Sequence, residues 1–160
     1  MIRTAVVPIS ESVARGARED SSGPALRQRA EQRGWQVAEM EVVEDDRESI
    51  ARLLADLSDR RSVSLILTTG GTGIAPRDVT PEATRTVVER EIPGLAELMR
   101  AEGRRFTPRA VLSRGIAGTR GRTLIVNLPG SPKGAVESFD AVADLATHII
   151  DLLEGRTEHN

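Results

Sequence analysis

Cysteine is absent from this 160-residue chain, and lysine occurs once. Without cysteine, disulfides, zinc–thiolate sites, iron–sulfur clusters and thiol nucleophiles are excluded. Aromatic residues are limited to Trp35, Phe106 and Phe139, too few for a platform that stacks the bases of single-stranded nucleic acid. No stretch approaches the ~18 consecutive apolar residues of a membrane span. Met1-Ile2-Arg3 runs into a short apolar segment without a signal-peptide cleavage pattern. Neither sign of charge dominates: 22 Lys+Arg stand against 24 Asp+Glu, a formal net charge of -2, which leaves no electrostatic footprint for nucleic acid. The expectation is a soluble cytoplasmic protein with neither nucleic acid nor membrane as a partner.

What is present fits one compact domain over residues 1–160, with a polar tail from about residue 155. An apolar share of 39% with 29% charge describes an ordinary globule. Residues 3–9 (RTAVVPI) form an apolar, β-branched run and predict a first strand. Residues 10–23 hold two glycines and several acids and read as a loop. Residues 24–33 read as a short helix stopped by Gly34. Trp35 to Val43 alternates apolar and polar positions, as a second strand would. Ile50, Leu53, Leu54 and Leu57 make an amphipathic stripe over 47–58. Residues 63–69 (VSLILTT) and 123–128 (TLIVNL) are short buried-type strands. Thr80 is the expected N-cap of a helix with Pro81 in its first turn. Pro93-Gly94 reads as a break before a helix over 95–103, and residues 111–120 as a strand or hairpin. Ser131 is expected to cap a helix reaching about Leu153. His148, and His159 in the tail, have no ligand partner at useful spacing and read as solvated. The alternation predicts an α/β fold, a three-layer, mostly parallel sheet with helices on both faces.

Such sheets bind ligands beyond the carboxyl ends of their strands. The loops that fall there begin at Ser10, at Glu44, at Thr69 and at Asn127. Gly70-Gly71-Thr72-Gly73 follows a strand and precedes a helix, where glycines let backbone N–H groups approach and cradle a phosphate. It is neither a GxGxxG fingerprint nor a GxxxxGK[ST] loop, and a tight turn needing positive φ is the plainer reading. Asp45, Asp46 and Asp78 all precede helices, where capping is the common role. Two carboxylates from adjacent loops are also enough for Mg²⁺, which keeps several waters and takes one or two protein carboxylates plus substrate phosphates. The loop from Asn127 to Lys133 ends at a helix N-terminus that favours an anion, and Lys133, the only ammonium side chain, adds charge there. A capped helix with a surface lysine is the alternative. No Ser–His–Asp set can be assembled.

Four strings together resemble the molybdopterin adenylyltransferase family, which includes the bacterial Mog and MoaB-type proteins and the G domains of gephyrin-like proteins. They are LTTGGTGIAPRDVTPEAT (Leu67–Thr84), PGLAELMR (Pro93–Arg100), LSR (Leu112–Arg114) and NLPGSPKGAVESF (Asn127–Phe139). The resemblance implies the molybdopterin-binding-like fold and a Mg²⁺-dependent reaction in which ATP adenylylates the terminal phosphate of molybdopterin and releases pyrophosphate. It implies that Thr69, Gly70, Gly71, Thr72 and Gly73 bind phosphate or nucleotide, and that Asp78 and Asp45 are the essential acids; as carboxylates on adjacent loops, these two are the expected Mg²⁺ ligands. Ser10, Ser113, Asn127, Pro129, Gly130, Ser131, Pro132 and Lys133 are the further pterin- and nucleotide-binding positions it implies. The first loop departs from the family pattern: Ser10-Glu11-Ser12 stands where Ser-Asp-Arg is usual, although Asp20-Ser21-Ser22-Gly23 resembles the D-x-S-G element that follows. Glu44 stands where a proline usually precedes the first acid. Family relatives form trimers, some paired into hexamers, and residues 111–119 are the candidate contact region. Other molybdenum cofactor biosynthesis proteins are implied partners. A non-catalytic molybdopterin-binding or delivery protein is the alternative function. A nicotinamide oxidoreductase is disfavoured by the missing GxGxxG after the first strand.

Overall fold

The apolar runs of the sequence become the middle of a sheet. In the computed structural model, which describes residues 1–156, the strands are β1 (Arg3–Pro8), β2 (Gln36–Met40), β3 (Leu65–Thr69), β4 (Arg90–Glu91), β5 (Ala117–Arg120) and β6 (Thr123–Leu128), in the order β2-β1-β3-β6-β5-β4. The first four of that order pair in parallel, as expected. The last two are antiparallel. The reason is local: β5 and β6 are joined by Gly121 and Arg122 alone, with Gly121 at φ 54°. A two-residue turn joins only antiparallel neighbours. The sheet is therefore mixed, with a parallel core and an antiparallel edge. His159 and the last residues of the expected fraying tail lie outside the described residues.

Helices α1 (Glu11–Ala14), α2 (Ser22–Gln32), α3 (Arg47–Asp59), α4 (Thr80–Val87), α5 (Pro93–Gly103) and α6 (Pro132–Leu153) cover both faces. Alternation within the strands divides the core. Leu65, Leu67, Leu124 and Val126 pack with Leu26 of α2, Met99 of α5 and Phe139 of α6. Ala5, Ile66 and Ile125 pack on the other face with Ile50, Leu54 and Leu57 of α3 and Ala83 of α4. This is the three-layer arrangement that the pattern predicts. Trp35 meets Phe139 edge-on at 5.5 Å, tying the start of β2 to α6. No helix among the described residues is long and apolar enough to cross a membrane.

Several boundaries differ from the sequence reading. The segment 10–23 is not all loop: Ser10 caps α1 by accepting from the Val13 amide at 3.4 Å, and the Asp20 carboxylate accepts from the Gly23 amide at 3.1 Å, so α2 starts at Ser22. Thr80 is not a cap. The cap position is Val79, and the Thr80 hydroxyl instead donates to the Gly70 carbonyl at 2.9 Å. Pro93-Gly94 is the first turn of α5 rather than a break, because proline at the first helical position loses no intrahelical bond. The segment expected as strand or hairpin is a 3-10 turn at Pro108–Leu112 followed by β5, which does form the hairpin with β6. His148 is exposed, as expected.

Candidate active site

Registration of the parallel strands decides where the loops emerge. Pro8 pairs with Thr69, and Thr69 with Leu128, so three strands end level. A bridge from Ile9 to Val43 brings the chain after β2 to the same rim. The loops at Ser10, Asp45, Gly70 and Pro129 therefore converge, as the sequence reading requires.

The glycine turn is held down on all sides. The Gly70 amide donates to the Leu128 carbonyl at 3.0 Å, and the Thr69 hydroxyl donates to the Pro129 carbonyl at 2.6 Å. Gly70 and Gly71 both have positive φ, 106° and 69°. A β-carbon on Gly70 would stand 2.5 Å from the Ile9 carbonyl oxygen, and one on Gly71 2.2 Å from Thr80 Oγ1. Only glycine meets both the backbone conformation and the space.

Two cavities flank this turn. The larger, about 490 Å³, lies between the turn, α5, the 3-10 turn and the start of α6; Met99, Leu112, Ser113, Asn127 and Glu137 are among its walls. The smaller, about 440 Å³, is lined by Ser10, Asp20, Asp45, Thr69, Arg77 and Pro132, among others. Gly71, Asp78, Gly130 and Ser131 line both, so they form the ridge between them. Thr72 and Gly73 face only the larger cavity; Gly70 faces only the smaller.

The acids separate by role. Asp46 is the cap of α3, accepting from the Ser49 amide at 2.9 Å; the Ser49 hydroxyl, and then that amide, hold its carboxyl below the usual range. Asp45 turns into the smaller cavity instead. Its Oδ2 accepts from the Glu11 amide at 3.0 Å, while burial, Asp78 and Glu11 push its carboxyl up and the Glu11 amide and Arg77 pull it down, with burial dominant. Asp78 Oδ2 accepts from the Ala75 amide at 3.0 Å. Each acid thus commits one oxygen to a backbone amide and leaves the other without a protein donor among the described residues. The smaller cavity carries four acids (Glu11, Asp20, Asp45, Asp78) and two arginines (Arg18, Arg77). Two hard oxygen ligands and a surplus of negative charge fit Mg²⁺ shared with substrate phosphates. No cluster of three or more candidate ligands exists among the described residues, so these acids do not form a closed cage.

Two expected binding residues are placed differently. Lys133 is exposed and lines neither cavity. It follows Pro132 into α6, whose start faces the rim while Lys133 itself turns outward. Asn127 borders the larger cavity, but its side chain is consumed internally: Oδ1 accepts from the Ile116 amide at 3.1 Å, and Nδ2 donates to Thr68 Oγ1 and Thr84 Oγ1, both at 3.0 Å. It locks β6 to the edge and to α4. Ser131 caps α6 through the Gly134 amide at 3.1 Å, and Ser113 Oγ accepts from the Gly115 amide at 3.3 Å. Sequence reasoning missed Arg18, which donates to Ser10 Oγ at 3.2 Å, and Glu137. It also missed Arg114, whose partners lie up to 41 residues away and leave no mark in local spacing.

Comparison with known proteins agrees with this geometry. Residues 5–148 match the family described as a probable molybdopterin binding domain. The chain is 39% identical over 156 residues to the molybdopterin adenylyltransferase of Helicobacter pylori strain J99, covering 96% of this chain and 89% of the relative. It is 39% identical over 151 residues to that of Escherichia coli K12, covering 93% and 77%. The crystal structure of the molybdopterin biosynthesis enzyme MoaB from Thermus thermophilus superposes with a TM-score of 0.92 at 51% identity, over 97% of this chain and 98% of that one. A Gly-Gly-Thr-Gly turn at the level ends of three parallel strands, two acids beside it and a match along nearly the whole chain place the protein in one group: it belongs to the molybdopterin-binding domain family.

Proposed function

We propose that this protein is a molybdopterin adenylyltransferase of molybdenum cofactor biosynthesis. Two cavities that meet at one ridge carry the reading, because a transfer between two bound molecules needs both reacting groups at a shared boundary. The terminal phosphate of molybdopterin attacks the α-phosphorus of ATP, a new phosphoanhydride bond forms, the bond to the β-phosphate breaks, and pyrophosphate leaves. Such transfers need positioning and charge neutralisation more than covalent help.

The chain supplies these as follows. Gly71 and Gly130 bring backbone close to the reacting phosphates, and the start of α6 at Ser131 and Pro132 turns a helix N-terminus toward them. Arg18 and Arg77 add positive charge in the smaller cavity. Asp45 and Asp78 would hold Mg²⁺ through the oxygens they leave free. Bound there, the cation would neutralise phosphate charge and balance the acids. Met99 and Leu112 give the larger cavity the apolar walls that suit a flat heterocycle.

The deciding assay is Mg²⁺-dependent pyrophosphate release with ATP and molybdopterin. Asp78→Asn should abolish turnover while molybdopterin binding stays within about threefold, as expected for a charge needed in transfer rather than in pterin binding. Pyrophosphate release by that variant at the unsubstituted rate removes Asp78 from the mechanism. A chain that binds molybdopterin without releasing pyrophosphate is a binding protein. We assign the protein to the cytoplasm, where ATP is available, and infer a trimer or hexamer with contacts through residues 111–119, which sedimentation would measure.

A further inference from the structure

We propose that Arg114 is a positioning residue for Asp78, holding the turn from Thr72 to Asp78 in the shape that presents the acid to a cation and phosphates. This rests on the reading above and goes beyond it, since Arg114 lines neither large cavity.

The turn has little else to hold it. Residues 74–77 are exposed, and Ile74 is 73% exposed. Inside the turn, the Asp78 amide donates to the Ala75 carbonyl at 2.9 Å, and the Ala75 amide returns to the Asp78 carboxylate. The remaining anchors come largely from Arg114. Its backbone amide donates to the Thr72 carbonyl at 2.8 Å. Its Nε donates to the Gly73 carbonyl at 2.7 Å, and its Nη2 to the Asp78 carbonyl at 2.8 Å. One planar group therefore grips both ends of the turn. The same guanidinium is fixed from behind by Glu82 of α4, with contacts of 2.8 to 3.1 Å. A lysine ammonium has the charge but not the fork, and cannot meet Gly73, Asp78 and Glu82 together. Arg114 is also flanked by Ser113 and Gly115, which do line the larger cavity. Its chain neighbours belong to one cavity wall and its side chain to the turn that bears Asp78.

The test compares Arg114→Lys and Glu82→Gln with the unsubstituted protein by pyrophosphate release against Mg²⁺ concentration, by Mn²⁺ binding in the presence of ATP, and by hydrogen exchange of amides 73–78. Losing one or two charge-assisted bonds should lower kcat of Arg114→Lys by about 10- to 100-fold. The Mg²⁺ needed for half-maximal rate should rise by about fivefold or more, with exchange in the turn about tenfold faster. KM for molybdopterin should move by less than about twofold, because the pterin contacts are untouched. Glu82→Gln keeps the two carbonyl bonds and should show the same changes at smaller size, which decides the matter if Arg114→Lys does not fold. A merely structural role would lower the melting temperature and leave Mg²⁺ dependence, Mn²⁺ affinity and exchange in the turn unchanged in the folded protein, and that result overturns the proposal. If the unsubstituted protein releases no pyrophosphate, the function is wrong; Mn²⁺ affinity and exchange still decide the role of Arg114, which fails if both are unaltered in the variants.

Discussion

Replacing Gly71 by alanine tests whether the site's central turn is shaped by its neighbours. At φ 69° a β-carbon costs about 1–2 kcal/mol in the backbone alone. That carbon would stand 2.2 Å from Thr80 Oγ1 and 3.4 Å from Asp45 Oδ1, so the Thr80 hydroxyl has to leave its place. The buried bond it donates to the Gly70 carbonyl at 2.9 Å is then lost, for about another 1–2 kcal/mol. The sum is about 2–4 kcal/mol, which for a chain of this size lowers the melting temperature by on the order of 10 °C. Thermal melts of Gly71→Ala, Thr80→Ala and the double variant separate the two contributions. Both single changes remove the same hydrogen bond, so the double variant should cost about 1–2 kcal/mol less than the sum of the singles. Pyrophosphate release should fall in the double variant as well, because the strained positive φ at position 71 persists on the ridge between the two cavities. A melting point within about 2 °C of the unsubstituted protein, or strict additivity of the singles, refutes the reasoning.

Asp45→Asn should melt higher than the unsubstituted protein near neutral pH, since burial raises the Asp45 carboxyl; with a folded-state value above the unfolded one, stability falls as pH rises through the carboxylate range. The same variant should lose pyrophosphate release, and a lower melting point would contradict the assignment. Glu82 has the opposite sign: the Arg114 hydrogen bond lowers its carboxyl, so its contribution is present above the usual glutamate range and is lost as pH falls through the lowered value. Hydrogen exchange at amides 73–78 should accordingly lose protection in acid, and Glu82→Gln should remove that acid dependence. Asn127→Ala strands the Ile116 amide and takes the Asn127 donor from the Thr68 and Thr84 hydroxyls, of which Thr84 keeps its bond to the Thr80 carbonyl, costing about 2–3 kcal/mol in urea unfolding, with KM for both substrates nearly unchanged in the folded fraction.

The middle of the parallel core was legible because β1, β3 and β6 are buried on both faces and appear as apolar runs, as in LILTT and TLIVNL, while β2 at the edge showed only as alternation. The antiparallel edge was legible only in part. The glycines of 111–120 marked a strand or hairpin, and β5 and its hairpin with β6 fall there, but Arg90–Glu91 is two exposed residues without a hydrophobic signature, and β4 forms because the free edge of β5 needs partners. The convergence of the loops followed from the alternation of strands and helices. What the loop residues do there was less visible. Asn127 and Thr80 look like ligand and cap by position, yet each is drawn inward by a buried partner from a distant segment. Lys133 stood out by composition, and composition says nothing about which way a residue in the first turn of a helix points. Asp45 and Asp46 are neighbours of one chemical kind; only the extended backbone at Asp46 (φ -129°, ψ 122°) and the bridge at Val43 decide that one caps α3 and the other enters the cavity.

A protein of net charge -2 that takes two anionic substrates has to create attraction locally, and the arrangement shows how narrow that margin is. The smaller cavity has a surplus of negative side chains, four acids against two arginines, which opposes a bare phosphate. The glycine turn and the start of α6 contribute only partial charges, each worth on the order of 1 kcal/mol at an exposed helix end. Under the proposed function, a nucleotide arriving there without a cation would meet a net negative cavity, whereas one arriving with Mg²⁺ would meet Asp45 and Asp78, each with one carboxylate oxygen that has no protein donor among the described residues. The raised carboxyl of Asp45 fits that arrangement: burial, with Asp78 and Glu11, disfavours its charge more than the Glu11 amide and Arg77 favour it. Under the proposed function, ATP binding and cation binding would be coupled, each supplying what the other needs.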